Sequence, residues 1–263
     1  MNRLQTLQRY LHYQITSKDK YRIHSPFVFK LLTEVIKDNQ HYDDYDDIER
    51  LKNDVLKQKS MVEYTDFGAR SGNNNYTTRL IPIGKIVKTS AILKKNGRLL
   101  YRLILSRQPK TILELGTSTG FSTMYMAKAN PEAQIYTIEG CASVAEKARS
   151  NFQNIGISNV ELSIGNFNHV LPKILKRISK LDFLLIDGNK RMKPTLNYFE
   201  QCLSKAGNDS IFVIDDIHWS DEMENAWEHI RKDPRVTVTV DLFSTGLVFF
   251  RKESEKQDFS IRF

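Results

Sequence analysis

Cysteine is scarce: Cys141 and Cys202 are the whole supply in 263 residues. Both sit inside patterned segments. A disulfide-stapled secreted scaffold is therefore disfavoured, and reduced, buried thiols in a cytoplasmic protein are expected. No run of about 18 apolar residues occurs, so no transmembrane helix is expected. Residues 1–13 carry scattered polar side chains rather than the apolar core of a signal peptide. Zinc-ligand spacing is missing, as are an arginine-rich arm, internal repeats and low-complexity tracts. The spacing G-x-G-x-x-G does not occur, which argues against a nicotinamide-dependent oxidoreductase.

The formal net charge is +8. A basic balance can serve nucleic acid or an acidic substrate. Here it is dispersed over Lys85, Lys88, Lys94, Lys95, Arg98, Arg102, Arg107, Lys173, Lys176, Arg177 and Lys180. Solvated helix faces account for that spread, and nucleic acid is only a minor expectation. The apolar and charged fractions, 40% and 27%, are those of a globular chain with a real core.

Residues 1–108 read as a helical extension. Leu4, Leu7, Leu11 and Ile15 recur at helical spacing. Ser25-Pro26 fits a helix start, followed by a stripe of Phe27, Leu31, Leu32 and Val35. Four aspartates precede Ile48, Leu51, Val55 and Leu56, where acidic groups suit a helix dipole better than a metal. Residues 66–78, rich in Gly, Ser and Asn, form a loop, either a lid or a connector. From Pro109 the pattern changes. TILEL (111–115), QIYTIE (134–139), VELSIG (160–165), LDFLLID (181–187) and SIFVIDD (210–216) alternate with helical stretches. Such runs mean parallel strands joined by helical crossovers. VTVTVDLF (236–243) and GLVFFR (246–251) follow too closely for a crossover and should pair antiparallel. Residues 109–252 thus form an α/β domain, with 253–263 as a tail.

The strongest local signal is ELGTSTG, from Glu114 to Gly120, between a strand and a helix. Gly116 and Gly120 allow a ligand close to the backbone, and the helix start offers free N–H groups; Thr117, Ser118 and Ser122 are further candidate cofactor contacts. Glu139 ends the second strand, where a carboxylate can accept both ribose hydroxyls, with a solvated acid as the lesser alternative. Gly140 follows it. Gly165-Asn166-Phe167 ends the third strand; Asn166 could meet an adenine edge with Phe167 as a wall, and a plain turn reads nearly as well.

In this order the motifs resemble those of class I S-adenosylmethionine (SAM)-dependent methyltransferases. ELGTSTG matches their glycine-rich motif and TIEG their acidic one, while IGNF stands where the family more often has aspartate. The resemblance spans roughly residues 97–251. It implies a Rossmann-like, seven-stranded, mostly parallel sheet of order 3-2-1-4-5-7-6 with the last strand antiparallel. NGRLL (96–100) is similar to a cofactor-bordering segment of small-molecule O-methyltransferases, which adds Gly97 to the implied site. Together with HSPFVF, DFGAR and DDIHWS, residues 1–80 resemble a bacterial group with a helical N-terminal extension. That extension would cover the acceptor pocket or form a homodimer contact.

Asp187 ends the fourth strand, and Asp215 and Asp216 end the fifth. Crowded carboxylates repel, and an oxygen-preferring divalent cation would relieve them. This pattern is similar to catechol-type and macrolide-type O-methyltransferases, which implies Mg²⁺ or another divalent cation at Asp187, Asp215 and Asp216. Asp187 would also border SAM. Lys190, three residues past the first aspartate, takes the position of their general base. His218 is a second base or a substrate contact, and Trp219 a wall; both read equally well as packing. Asp216 or Ser220 could instead cap the next helix. The other histidines lack ligand-like spacing. The implied reaction is methyl transfer from SAM to a hydroxyl oxygen of a small molecule. Two rivals stay open: an RNA or protein methyltransferase, though Asp187 is followed by Gly-Asn-Lys rather than a base-amine signature, and a non-catalytic SAM-binding or assembly protein.

Overall fold

Apolar runs too short for helices, each followed by a helix-forming stretch, bury both faces only by pairing in parallel between layers of helices. The computed structural model describes residues 3–17, 23–67 and 77–263. Helices α1 (Arg3–Thr16), α2 (Pro26–Leu31) and α3 (Asp43–Leu56) come first. Strands β1 (Met61–Thr65) and β2 (Thr78–Pro82) precede helices α4 (Ile83–Ser90) and α5 (Lys94–Arg107). Alternation then sets in with β3 (Thr111–Leu115), α6 (Phe121–Ala129), β4 (Gln134–Glu139), α7 (Ala142–Asn154), β5 (Val160–Ile164) and α8 (Phe167–Arg177). It continues through β6 (Leu181–Ile186), α9 (Met192–Leu203), β7 (Ala206–Asp215) and α10 (Asp221–Lys232). Strands β8 (Val238–Asp241), β9 (Thr245–Phe249) and β10 (Gln257–Ser260) close the chain.

Two compact units result, one of residues 39–178 and one of residues 1–38 with 179–263. The sequence boundary at 108 falls inside the first of these. In the 39–178 unit, β3 pairs with β4 and β4 with β5, all parallel. Ile112, Leu113, Leu115, Ile135 and Ile138 are fully buried there. The acidic first turn of α3 is tied down locally: Asp44 accepts from the Tyr101 hydroxyl at 2.8 Å. The loop read at 66–78 lies largely outside the described residues, but its flanks are paired. β1 and β2 form an antiparallel hairpin, Thr65 opposite Thr78, which the helical reading of residues 1–108 did not contain.

In the other unit, β6 and β7 are parallel, β7 and β9 antiparallel, and β9 and β8 antiparallel. Within each unit the strand order is the one the resemblance implied. One strand is added: β10, in the segment read as a tail, pairs parallel with β8. Helix α2 starts as expected, with Ser25 capping the Val28 N–H and Pro26 in its first turn. Helix α1 is fastened to the end of the chain, since the Tyr13 hydroxyl donates to the Ile261 carbonyl and accepts from the Phe263 N–H. No described helix is long and apolar enough to cross a membrane. The structure is α/β with a mostly parallel, Rossmann-like strand arrangement.

Gly246 on β9 faces Trp227 of α10, itself 1% exposed; a Cβ at 246 would lie 2.6 Å from the indole Cζ3. Gly246→Ala should therefore overpack this interface and lower stability by about 1–3 kcal/mol, read as a fall in the urea midpoint with an unchanged slope.

Candidate active site

Strand β3 runs directly into the glycine-rich turn, and the backbone there is left-handed, with φ of +106° at Gly116, +48° at Ser118 and +87° at Gly120. Glycine takes that conformation at little cost. At Gly120 packing forbids a side chain as well, because a Cβ would lie 2.5 Å from the Phe152 ring. Glu114, 0% exposed, accepts hydrogen bonds from the hydroxyls of Ser122, Thr123 and Thr137. Burial pushes its carboxyl up, and the three hydroxyls offset only part of that. Glu114 and Ser122, both read as cofactor contacts, are thus bonded to each other in the interior. Thr117 shares a hydrogen bond with Thr137, Oγ1 to Oγ1, at 2.5 Å.

Glu139 at the end of β4 is joined to the same turn. Its Oε2 accepts from the Ser118 N–H at 2.8 Å and its Oε1 from the Cys141 N–H at 2.9 Å. Burial pushes its carboxyl up, and backbone donors including the Gly140 N–H pull it down. The hydroxyl oxygens of Ser118 and Thr119 are buried and have no hydrogen-bond partner among the described residues. Buried polar atoms left over beside a loop are places where a ligand's polar groups can be met. Asn166 is the N-cap of α8, its side chain accepting from the Asn168 N–H at 2.9 Å. Phe167 follows it, half-buried. Gly97 lies in α5, where a Cβ would collide with the Tyr125 ring of α6; its smallness lets these two helices approach.

The second cluster belongs to the other unit. Lys190 is within 3.0 Å of an Asp187 carboxylate oxygen and 3.4 Å of one on Asp215, and it pairs closely with Asp216. Burial opposes the ammonium, yet the three carboxylates outweigh it and hold Lys190 well above its ordinary value. Burial also pushes all three carboxyls up. Asp215, with Asp187 beside it as a further cause, reaches about 7. Asp216 takes a left-handed φ of +56°. It is not the helix cap, because Ser220 caps α10 through the Met223 N–H. Asp187, Asp215, Asp216 and Lys190 are therefore brought together, with Lys190 as the cation that all three carboxylates meet. No set of three His, Cys, Asp or Glu among the described residues is grouped to hold a metal ion.

His218 stands apart from this use. Its Nδ1 is 2.9 Å from Glu224 and its Nε2 is 2.8 Å from Asp241. Burial lowers its pKa, but the two carboxylates prevail and raise it. Doubly engaged, the ring has no nitrogen left to accept a proton. The sequence reading missed Thr245, whose hydroxyl donates to Asp215 at 3.3 Å. The signal lay in strand register, since Thr245 is directly opposite Asp215 in the antiparallel pair.

Residues 113–217 match the family model described as a methyltransferase domain, and the class I methyltransferase resemblance drawn from the motifs holds. Among curated proteins, a catechol O-methyltransferase of Mycobacterium tuberculosis is 30% identical over 129 residues, 48% of this chain and 57% of that protein. The chain thus spans little more than half the length of such relatives. Among solved structures, an O-methyltransferase from Bacillus cereus in complex with S-adenosylhomocysteine (SAH) aligns with a TM-score of 0.57 at 17% identity, covering 84% of this chain and 96% of that one. An O-methyltransferase from Streptomyces achromogenes involved in tomaymycin synthesis, solved with SAM, aligns with a TM-score of 0.57 at 20% identity, covering 89% of this chain and 99% of that one. At these identities the structures establish the fold.

Removing the ammonium from the cluster leaves crowded carboxylates with no counter-charge. Lys190→Met should destabilise the protein by about 3 kcal/mol at pH 8. The penalty should shrink towards pH 5, because carboxyls whose folded values are raised take up protons as pH falls and shed their repulsion. Urea titrations of both proteins at the two pH values measure the difference.

Proposed function

We propose that this protein transfers a methyl group from SAM to a hydroxyl oxygen of a small molecule. The observation that carries the reading is Glu139, fixed by backbone N–H groups of the glycine turn inside a segment that matches a methyltransferase domain. In that reading Glu139 accepts the ribose hydroxyls, and Gly116, Thr117, Ser118 and Gly120 let the cofactor approach the backbone. The unpartnered hydroxyls of Ser118 and Thr119 suit a polar ligand there. Glu114 and Ser122 act indirectly, by holding the turn in shape. Asn166 and Phe167 offer the adenine an amide and an apolar wall, and Gly97 acts through the packing of α5 on α6.

The acceptor chemistry is assigned to Asp187, Asp215, Asp216 and Lys190. Three half-buried carboxylates are a donor set suited to a hard divalent cation, and the catechol O-methyltransferase name of the relatives fits a hydroxylated acceptor. Asp187, Asp215 and Asp216 would hold the ion only by exchanging it for the Lys190 ammonium that they now meet, and when bound it would make an acceptor hydroxyl more acidic. The transfer forms a carbon–oxygen bond and breaks the carbon–sulfur bond of SAM, leaving SAH, while a base takes the hydroxyl proton. Lys190 is the base of this first reading.

A metal-free second reading is favoured by the ion pairs themselves. Seated among three carboxylates, Lys190 keeps its proton, and Asp215, at about 7, is the group poised to accept one at neutral pH.

Calorimetric titration with SAH, followed by methyl-transfer assays on catechol with Mg²⁺ or with EDTA, tests both. Micromolar SAH binding that weakens at least about tenfold in Glu139→Ala is expected, since a charged hydrogen-bond acceptor contributes on that scale. Activity lost in EDTA and in Asp187→Ala, and restored to wild type by Mg²⁺, supports the metal-assisted form. Activity indifferent to EDTA, with a rising limb near pH 7 that Asp215→Asn abolishes, supports the metal-free form. An absence of SAH binding by the wild type sinks the cofactor assignment.

A further inference from the structure

Gly140, next to Glu139, has no side chain, and another segment fills the space that one would take. A Cβ placed there would lie 2.7 Å from Cδ2 of Phe67 and 3.1 Å from its Cγ. The Phe67 ring is therefore seated against the Gly140 backbone. Phe67 comes two residues after β1, so it is supplied by the hairpin rather than by the parallel strands. The hairpin is docked at this same point. The Thr65 N–H donates to the Cys141 sulfur at 3.4 Å. The Cys141 thiol and the Ser143 hydroxyl both donate to the Glu63 carbonyl.

These contacts converge on residues 140, 141 and 143, immediately past the carboxylate that ends β4. The N–H groups of Gly140 and Cys141 also hold Glu139, so the peptide under the ring is the one that orients the acid. Phe67 remains only half-buried. A large aromatic with surface to spare thus stands at the carboxyl end of a parallel strand, where open α/β sheets take their ligands.

We propose that Phe67 is part of the cofactor pocket: its ring is a second apolar wall against the adenosine of SAM, in addition to Phe167 and in place of the side chain that Gly140 lacks. The proposal rests on the cofactor assignment above, with Glu139 as the ribose acceptor. A carboxylate that fixes the ribose places the attached base within a few ångströms, and a purine face released from water is best covered by an aromatic ring. The hairpin, which lies outside the parallel layer, becomes a specificity element for the nucleoside.

The test is calorimetric titration of wild type, Phe67→Leu and Phe67→Trp with SAH, alongside thermal melts and fluorescence. Phe67→Leu keeps apolar bulk on Gly140 but removes the π face; SAH affinity should fall about tenfold, the scale of base–aromatic stacking, with little change in melting temperature. Phe67→Trp should bind close to wild type. Its added emission, read over the background of Trp219 and Trp227, should change on SAH addition with the calorimetric midpoint. Wild-type affinity in Phe67→Leu, or emission of Phe67→Trp indifferent to saturating SAH, overturns the proposal and leaves Phe67 as packing. If the wild type itself gives no SAH signal, the cofactor assignment fails, and this proposal falls with it.

Discussion

A carboxylate that collects backbone N–H groups from two sides, Glu139, is the interaction on which the candidate cofactor region depends. One oxygen reaches the glycine turn after β3 and the other the start of α7. These N–H groups would otherwise point at nothing charged, and a turn with three left-handed residues would have little to define it. Each donor is fixed by a separate crossover, so the acid serves as a clasp between neighbouring βαβ repeats. Glu114 does the equivalent work one layer deeper, gathering three hydroxyls around a buried carboxylate. Two acids thus shape one turn, the deeper from the interior and the other where a ligand can reach it.

The parallel strands were legible because their signal is local: short apolar runs with helical stretches between them appear at residues 111–115, 134–139 and 181–186 nearly as read. The β1–β2 hairpin was not. Its strands have five residues each and none of these is buried, so no buried face imposed an alternation. Strand β10 failed for the same reason, with only Phe259 of its four residues buried. At the site, the aspartates at the ends of β6 and β7 were legible by position, since strand ends are where such sheets expose polar groups. What they do to Lys190 was not, because the field at its ammonium comes from two strand ends converging in space. His218 shows the same limit: Glu224 is near in sequence but Asp241 lies 23 residues on, and only folding reveals that both ring nitrogens are taken.

The two clusters differ in electrical character. Around Glu139 the compensation comes from dipoles, fixed by the backbone and insensitive to pH. Around Lys190 it comes from full charges that titrate, with Asp215 displaced to about 7. The first is compensated by groups that carry no net charge. The second contains an acid displaced towards neutrality and an ammonium held charged beside it.

The bond between Tyr13 and the last residues of the chain has a temporal consequence. Tyr13 meets Ile261 across 248 positions, and Arg262 reaches back to the Gln14 carbonyl at 2.7 Å. Helix α1 can make these contacts only after residue 262 has been made. The entropic cost of closing so long a loop grows only with the logarithm of its length, so its span delays the contact more than it weakens it. The unit that holds Asp187, Asp215 and Lys190 is thus fastened by contacts between segments 248 positions apart.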